Sequence, residues 1–239
     1  MTHAALDERR ATFVPDPSAP AAAVSDHTHR ALINLAGRQR MLSQRIVLFT
    51  VLAAQGDQAM LLPAKEALQL FCDSHQQLSR GGGEWPGAFS SELQRSFFGP
   101  DGVDAPISAF VSAARSILEE LSRPEAMLSR AGQTRLEALI EQATPTLARL
   151  NAVTQTFEAE ARLSAQARSA HLQTLIERID EVAREARVVS FNARLVASRA
   201  GVAGREFAVV AQVLSQVSEQ IADLAQQAAR AGTTSGAAA

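Results

Sequence analysis

Lysine, tyrosine, cysteine and long apolar runs are what this chain has least of. Lys65 is the single lysine among 23 basic residues, tyrosine is absent, and Cys72 is the one cysteine in 239 residues. A lone cysteine excludes an internal disulfide framework and suits a reducing compartment. Lying next to Phe71 in an apolar run, Cys72 reads as a buried, inert thiol. With 25 acidic residues and a net charge of −2, the chain lacks the basic surplus that nucleic-acid binding needs. The longest apolar run, IVLFTVLAA from Ile46 to Ala54, has nine residues, against the roughly 20 of a membrane helix. The N-terminus places acids and prolines where a signal peptide has an apolar core. A cytoplasmic protein without membrane insertion is expected.

Catalytic groupings are missing too. His27 and His29 form an HTH stretch without a third metal ligand nearby. His75 and His171 stand far apart and read as surface residues. GGG at 81–83 is a connector, since no lysine follows it as a phosphate loop requires. No enzyme, metal or cofactor is expected.

What remains is helix. Pro15, Pro17 and Pro20 mark 1–25 as a disordered tail. Ser25 or Asp26 then offers an N-cap for a helix to about Ala54. A second helix is expected from about Gln58 to Ser79, followed by the RGGGEWPG loop, Arg80 to Gly87. A short segment around Ser90 to Phe98 precedes a GPDG break. A third long helix follows Pro106 and ends before Pro124. From about Ser129 the pattern is almost wholly helical, with Pro145 a point where it kinks or restarts. No strand pattern survives, so the fold class is all-α: a helical bundle over 26–160, joined by a long helix to an antiparallel coiled-coil hairpin over 161–230. Residues 231–239 read as a second disordered tail.

The hairpin rests on two heptad stripes. Leu175, Ile179, Val182, Ala186, Val189, Ala193 and Val196 step by fours and threes. After AGVAG come Phe207, Val210, Leu214, Val217, Ile221, Leu224 and Ala228. Two such seams either side of Gly201 and Gly204 describe helices folded back on each other. Their many Ala and Val residues bury little area per layer, so a partner chain, as in a homodimer, is expected to complete the bundle.

FNARLVASRAGVAGREFAVVA, Phe191 to Ala211, resembles the cytoplasmic tip of methyl-accepting chemotaxis receptors. Asn192, Ala193, Ala197, Arg199, Ala200, Gly201, Gly204, Arg205 and Phe207 to Ala211 carry the likeness. The resemblance implies a surface for a chemotaxis adaptor protein, a histidine kinase or other chemoreceptors, with Phe191, Asn192, Arg199 and Val209 as partner-binding positions. The chain departs from the family at Val196, which removes the acid–arginine pairing across dimers, and also at Val202 and Glu206. The Glu219-Gln220 pair lies too close to the tip to match an adaptation site.

INLAGRQRMLSQRI, Ile33 to Ile46, resembles the signature helix of PilJ-type sensor domains, found in type IV pilus chemotaxis transducers and related to a helix of nitrate/nitrite sensor kinases. A weaker likeness runs through Phe71 to Gly83 and Val103 to Leu118. In helical geometry Ile33, Gly37, Arg40 and Gln44 share one stripe. Gly37 costs about 1 kcal/mol of helix propensity against Ala, and close approach of a second helix is one reason for it. The resemblance implies that Arg40, beside Gly37 and Gln44, binds a small anion across a dimer interface. Pairing of Arg40 within the fold is the equal alternative, and Arg38 and Arg45 read as scaffold. Two functions follow: a soluble chemoreceptor-like sensor of an anion such as nitrate or nitrite, or a ligand-independent interaction protein of chemosensory or pilus arrays.

Overall fold

The computed structural model describes residues 24–123 and 127–236, and most of the expected 1–25 tail lies outside them. Six α-helices form among the described residues: α1 (Asp26–Ala54), α2 (Leu61–Ser79), α3 (Ser91–Phe98), α4 (Asp104–Leu121), α5 (Arg130–Arg199) and α6 (Arg205–Gly236). No strand accompanies them, only an isolated bridge between Gly82 and Trp85. The all-α expectation holds. The chain divides into two compact units, Met1–Ala161 and Arg162–Ala239. α6 continues to Gly236, through residues the sequence reading assigns to a tail; 237–239 lie outside the described residues.

Local chemistry sets most boundaries in the first unit. Ser25 caps α1, its hydroxyl accepting the Thr28 N–H at 3.1 Å. Ser90 caps α3 through the Leu93 N–H and also donates to Glu160 Oε1 at 2.7 Å, tying the loop to α5. In RGGGEWPG, Gly81 and Gly87 adopt φ of 75° and 68°. They lie back to back, and a Cβ on Gly81 would come within 2.8 Å of the Gly87 nitrogen, so both positions need glycine. α4 begins before Pro106, not after it. A proline in a first helical turn gives up an N–H that had no intrahelical partner there, so the helix simply includes it. α5 likewise passes through Pro145 without restarting. That proline is exposed, as is Glu141 four residues before it, so the carbonyl it leaves free is on the solvent side of the helix, where water can satisfy it.

The core joins α1 to α2, α3, α4 and the first third of α5. Phe71, Phe97, Phe110 and Phe157 are almost fully buried, one from each of α2, α3, α4 and α5. Phe71 meets Phe110 at 5.8 Å between ring centroids and Phe97 meets Phe157 at 6.2 Å.

His75 corrects the sequence reading. It is half-buried, with Nε2 at 2.8 Å from Asp104 Oδ1 and its ring 5.8 Å from that of Phe97. Burial pushes its pKa below the ordinary value, outweighing the upward pull of the Asp104 hydrogen bond. The unfolded chain therefore takes up a proton first as the pH falls below about 6.5. The stability His75 contributes is full above that pH and declines below it. A His75→Gln variant should show a shallower loss of urea midpoint on going from neutral to mildly acidic buffer; an identical loss in both proteins would refute this role.

In the second unit the observed packing moves the hairpin seam by one position. The residues closed between α5 and α6 are Ala183, Ser190 and Ala197 on one arm, and Gly204, Ala211, Ser218, Ala222 and Ala225 on the other. The larger stripe picked from the sequence faces outward: Val182, Val189, Val196, Val210 and Leu224 are each at least 60% exposed. Small residues bring two backbones close, and bulky ones on that face would hold them apart.

Candidate functional site

Arg40 lies half-buried on α1, facing the first stretch of α5. Its Nη1 donates to Asn151 Oδ1 at 3.0 Å. The following turn is tied down: Ser43 Oγ donates to the Arg40 carbonyl at 2.7 Å, and Gln44 Nε2 donates to Ser43 Oγ at 3.3 Å and the Ala143 carbonyl at 3.4 Å. Among the described residues no carboxylate pairs with Arg40; the ion pairs formed are elsewhere. The guanidinium is thus held in place by a neutral amide with its charge uncompensated, and its planar fork of donors retains capacity for an oxyanion.

Gly37 borders that guanidinium. A Cβ there would meet only Arg40 Nη2, at 3.6 Å, an ordinary contact. Among the described residues no second helix closes on Gly37, so close approach between them does not account for it. What the missing side chain leaves is free space beside the Arg40 charge. Gly37, Arg40 and Gln44 do come together on one side of α1, as their spacing predicts. Arg38 and Arg45 are exposed, and Arg45 lies over the Phe49 ring at 5.1 Å.

Two participants escaped the sequence. Asn151 lies 111 residues from Arg40, and nothing in its neighbourhood marks it out. Gln39, next to Arg40, is buried, and its Nε2 has no hydrogen-bond partner. The HTH stretch splits: His27 is exposed, whereas His29 is buried, with Nδ1 3.1 Å from the Ser25 carbonyl and its ring against Phe89. Among the described residues no group of His, Cys, Asp and Glu suits a metal ion.

The second candidate region is the hairpin end. Gly201 takes φ of 60° in the one-turn 3-10 segment Gly201–Gly204. A Cβ on Gly204 would run into the Ala197 carbonyl, so the chain can reverse this tightly only with glycine there. Phe191, Asn192, Arg199 and Val209 are all exposed. Phe191 and Val209 share a shallow groove with Leu195, Ala208 and Gln212 across the two arms, whereas Asn192 and Arg199 lie outside it. A second apolar groove is formed by Leu175, Ile179, Val182 and Ala186 with Ile221, so the outward stripes of α5 and α6 meet on one side.

Residues 25–98, spanning α1 to α3, match the family model described as Type IV pili methyl-accepting chemotaxis transducer N-term, PilJ. The match contains Gly37, Arg40 and Gln44 and ends before α4. No curated protein and no solved structure matches the chain significantly. Among the described residues no helix is long and apolar enough to cross a membrane.

Proposed function

We propose that the chain is a cytoplasmic, chemoreceptor-like signal transduction protein without enzymatic activity. Its PilJ-type module senses a small anion such as nitrate or nitrite at Arg40, and its hairpin reports to a chemotaxis adaptor and histidine kinase. The observation that carries this reading is the uncompensated Arg40 guanidinium, fixed by Asn151 beside the open flank of Gly37. An anion bound there competes for the donors that Asn151 now receives. Asn151 belongs to α5, the helix that runs on to Arg199, so exchanging that hydrogen bond for an anion changes what restrains α5. Homodimerisation through the outward hairpin stripes completes the signalling form.

Calorimetric titration of nitrate and nitrite tests the sensor. Because hydrogen bonds to a charged group contribute about 1.5–3 kcal/mol, Arg40→Ala should weaken binding at least tenfold. Arg38→Ala should leave it unchanged. Absence of binding to the unaltered chain, or equal binding by Arg40→Ala, sinks the sensor reading.

A second reading has its own support. The hydrogen bond to Asn151 already gives Arg40 a structural use, and two apolar grooves lie open on the hairpin. In that case the protein docks into chemosensory or pilus arrays without a ligand. Retention of adaptor and kinase by the immobilised chain, unaffected by nitrate or nitrite, favours it.

A further inference from the structure

The two segments that carry the weaker family likeness face each other across a groove that the Arg40 reading does not use. Cys72 and His75 of α2, with Arg80 at its end, form one wall, and Asp104, Val111, Ser112 and Arg115 of α4 form the other. The groove has a volume of about 340 Å³, which is on the scale of small-molecule sites.

Its charges are unequal. Asp104 is already engaged at one end by His75 at 2.8 Å and by Arg80 at 3.5 Å. Arg115 lies eleven residues further along α4, roughly 16 Å away along a helix axis, too far to share that carboxylate. Its contact in the groove is Cys72 Sγ at 4.0 Å, and burial keeps that thiol protonated by pushing its pKa up. Arg80 shares Asp104, whereas Arg115 has no carboxylate within ion-pair distance among the described residues. Between the two ends, Val111 presents apolar surface, with Ile107 buried one helical turn before it.

We propose that this groove binds a small organic monocarboxylate. The carboxylate group pairs with the Arg115 guanidinium and a short, branched apolar body lies over Val111. One negative charge pairs with Arg115, and an inorganic anion would leave Val111 uncovered. The site is independent of Arg40, which faces α5 from α1.

Isothermal titration of the full chain with acetate, isobutyrate and isovalerate, taken to millimolar concentration, tests the assignment. Isovalerate should bind, with affinity rising by up to about fourfold per added carbon as apolar surface is buried. Arg115→Gln should weaken it at least tenfold, and Ser112→Trp, which fills the groove from an exposed position, should do the same. Arg40→Ala should bind isovalerate normally, and nitrate should not displace it. Unchanged circular dichroism in the two groove variants ensures that lost binding is not lost folding. No binding to the unaltered chain, equal binding by Arg115→Gln, or loss in Arg40→Ala overturns the proposal. The last result would place the carboxylate at the α1 site instead and leave the anion reading of Arg40 standing.

Discussion

A chain carrying Val189→Glu and Val210→Glu together is expected to sediment as a monomer at concentrations where the unaltered chain self-associates, with the dissociation constant raised at least about a hundredfold. Both valines are exposed, at 60% and 62%, although they belong to strict heptad stripes. An isolated helical hairpin has no use for a continuous apolar face in water, whereas a second copy of the same hairpin gains by covering it. Leu175, Ile179, Val182 and Ile221 already share one groove, and the heptad period carries the same face on to Val189 and Val210. A carboxylate placed in such a seam must either be desolvated or hold the helices apart, and either cost exceeds what one valine contributes. Val202→Glu is the control: it changes an equally apolar, 76% exposed residue at the turn, off both stripes. Sedimentation equilibrium across a concentration series decides the matter. A monomeric unaltered chain, or a double variant that associates as before, would remove dimerisation from the signalling scheme.

The period of that hairpin was legible in the sequence, and its inner face was not. Ranking positions by hydrophobicity selects Val182, Val189 and Val196, and the neighbouring stripe of Ala183, Ser190 and Ala197 looks too weak to hold anything. Packing inverts the order, because the distance between two helices is set by the smallest residues at the contact. Local signals did better: the Ser25 cap, the helix end near Ala54 and the RGGGEWPG loop all act within a few residues, where sequence contains the whole interaction. Contacts between distant segments were hidden for the opposite reason. His75 looks like a surface histidine until α4 brings Asp104 to it, and Asn151 has no meaning apart from Arg40. The alignment of Gly37, Arg40 and Gln44 was readable from helical spacing. That the free space at Gly37 adjoins a guanidinium, and not a second helix of the chain, was not.

The helical module should depend on one aromatic hub more than on any charged group. Phe97→Ala is expected to lower the stability of the first unit by about 3–5 kcal/mol, moving its melting temperature down by roughly 10 °C. Phe97 is 1% exposed and touches two other helices, through the His75 ring of α2 and Phe157 of α5, besides its neighbour Phe98. Removing the ring leaves a cavity between short α3 and two longer helices. α3, with eight residues, cannot hold itself together by helix propensity alone, which demands about 12 or more. Its attachment therefore rests on Leu93 and Phe97, the two buried side chains it owns. Met41→Ala gives the contrast, since that side chain is 51% exposed and should change stability by no more than about 0.5 kcal/mol. The functional consequence follows from Phe157, which lies on the same helix as Asn151: loosening its seat loosens the partner of Arg40 as well. If Phe97→Ala unfolds the module at nearly the unaltered temperature, α3 is not part of the cooperative core, and the hold of that core on α5 comes from contacts such as those of Arg40 of α1 with Asn151 and of Glu120 of α4 with Arg135.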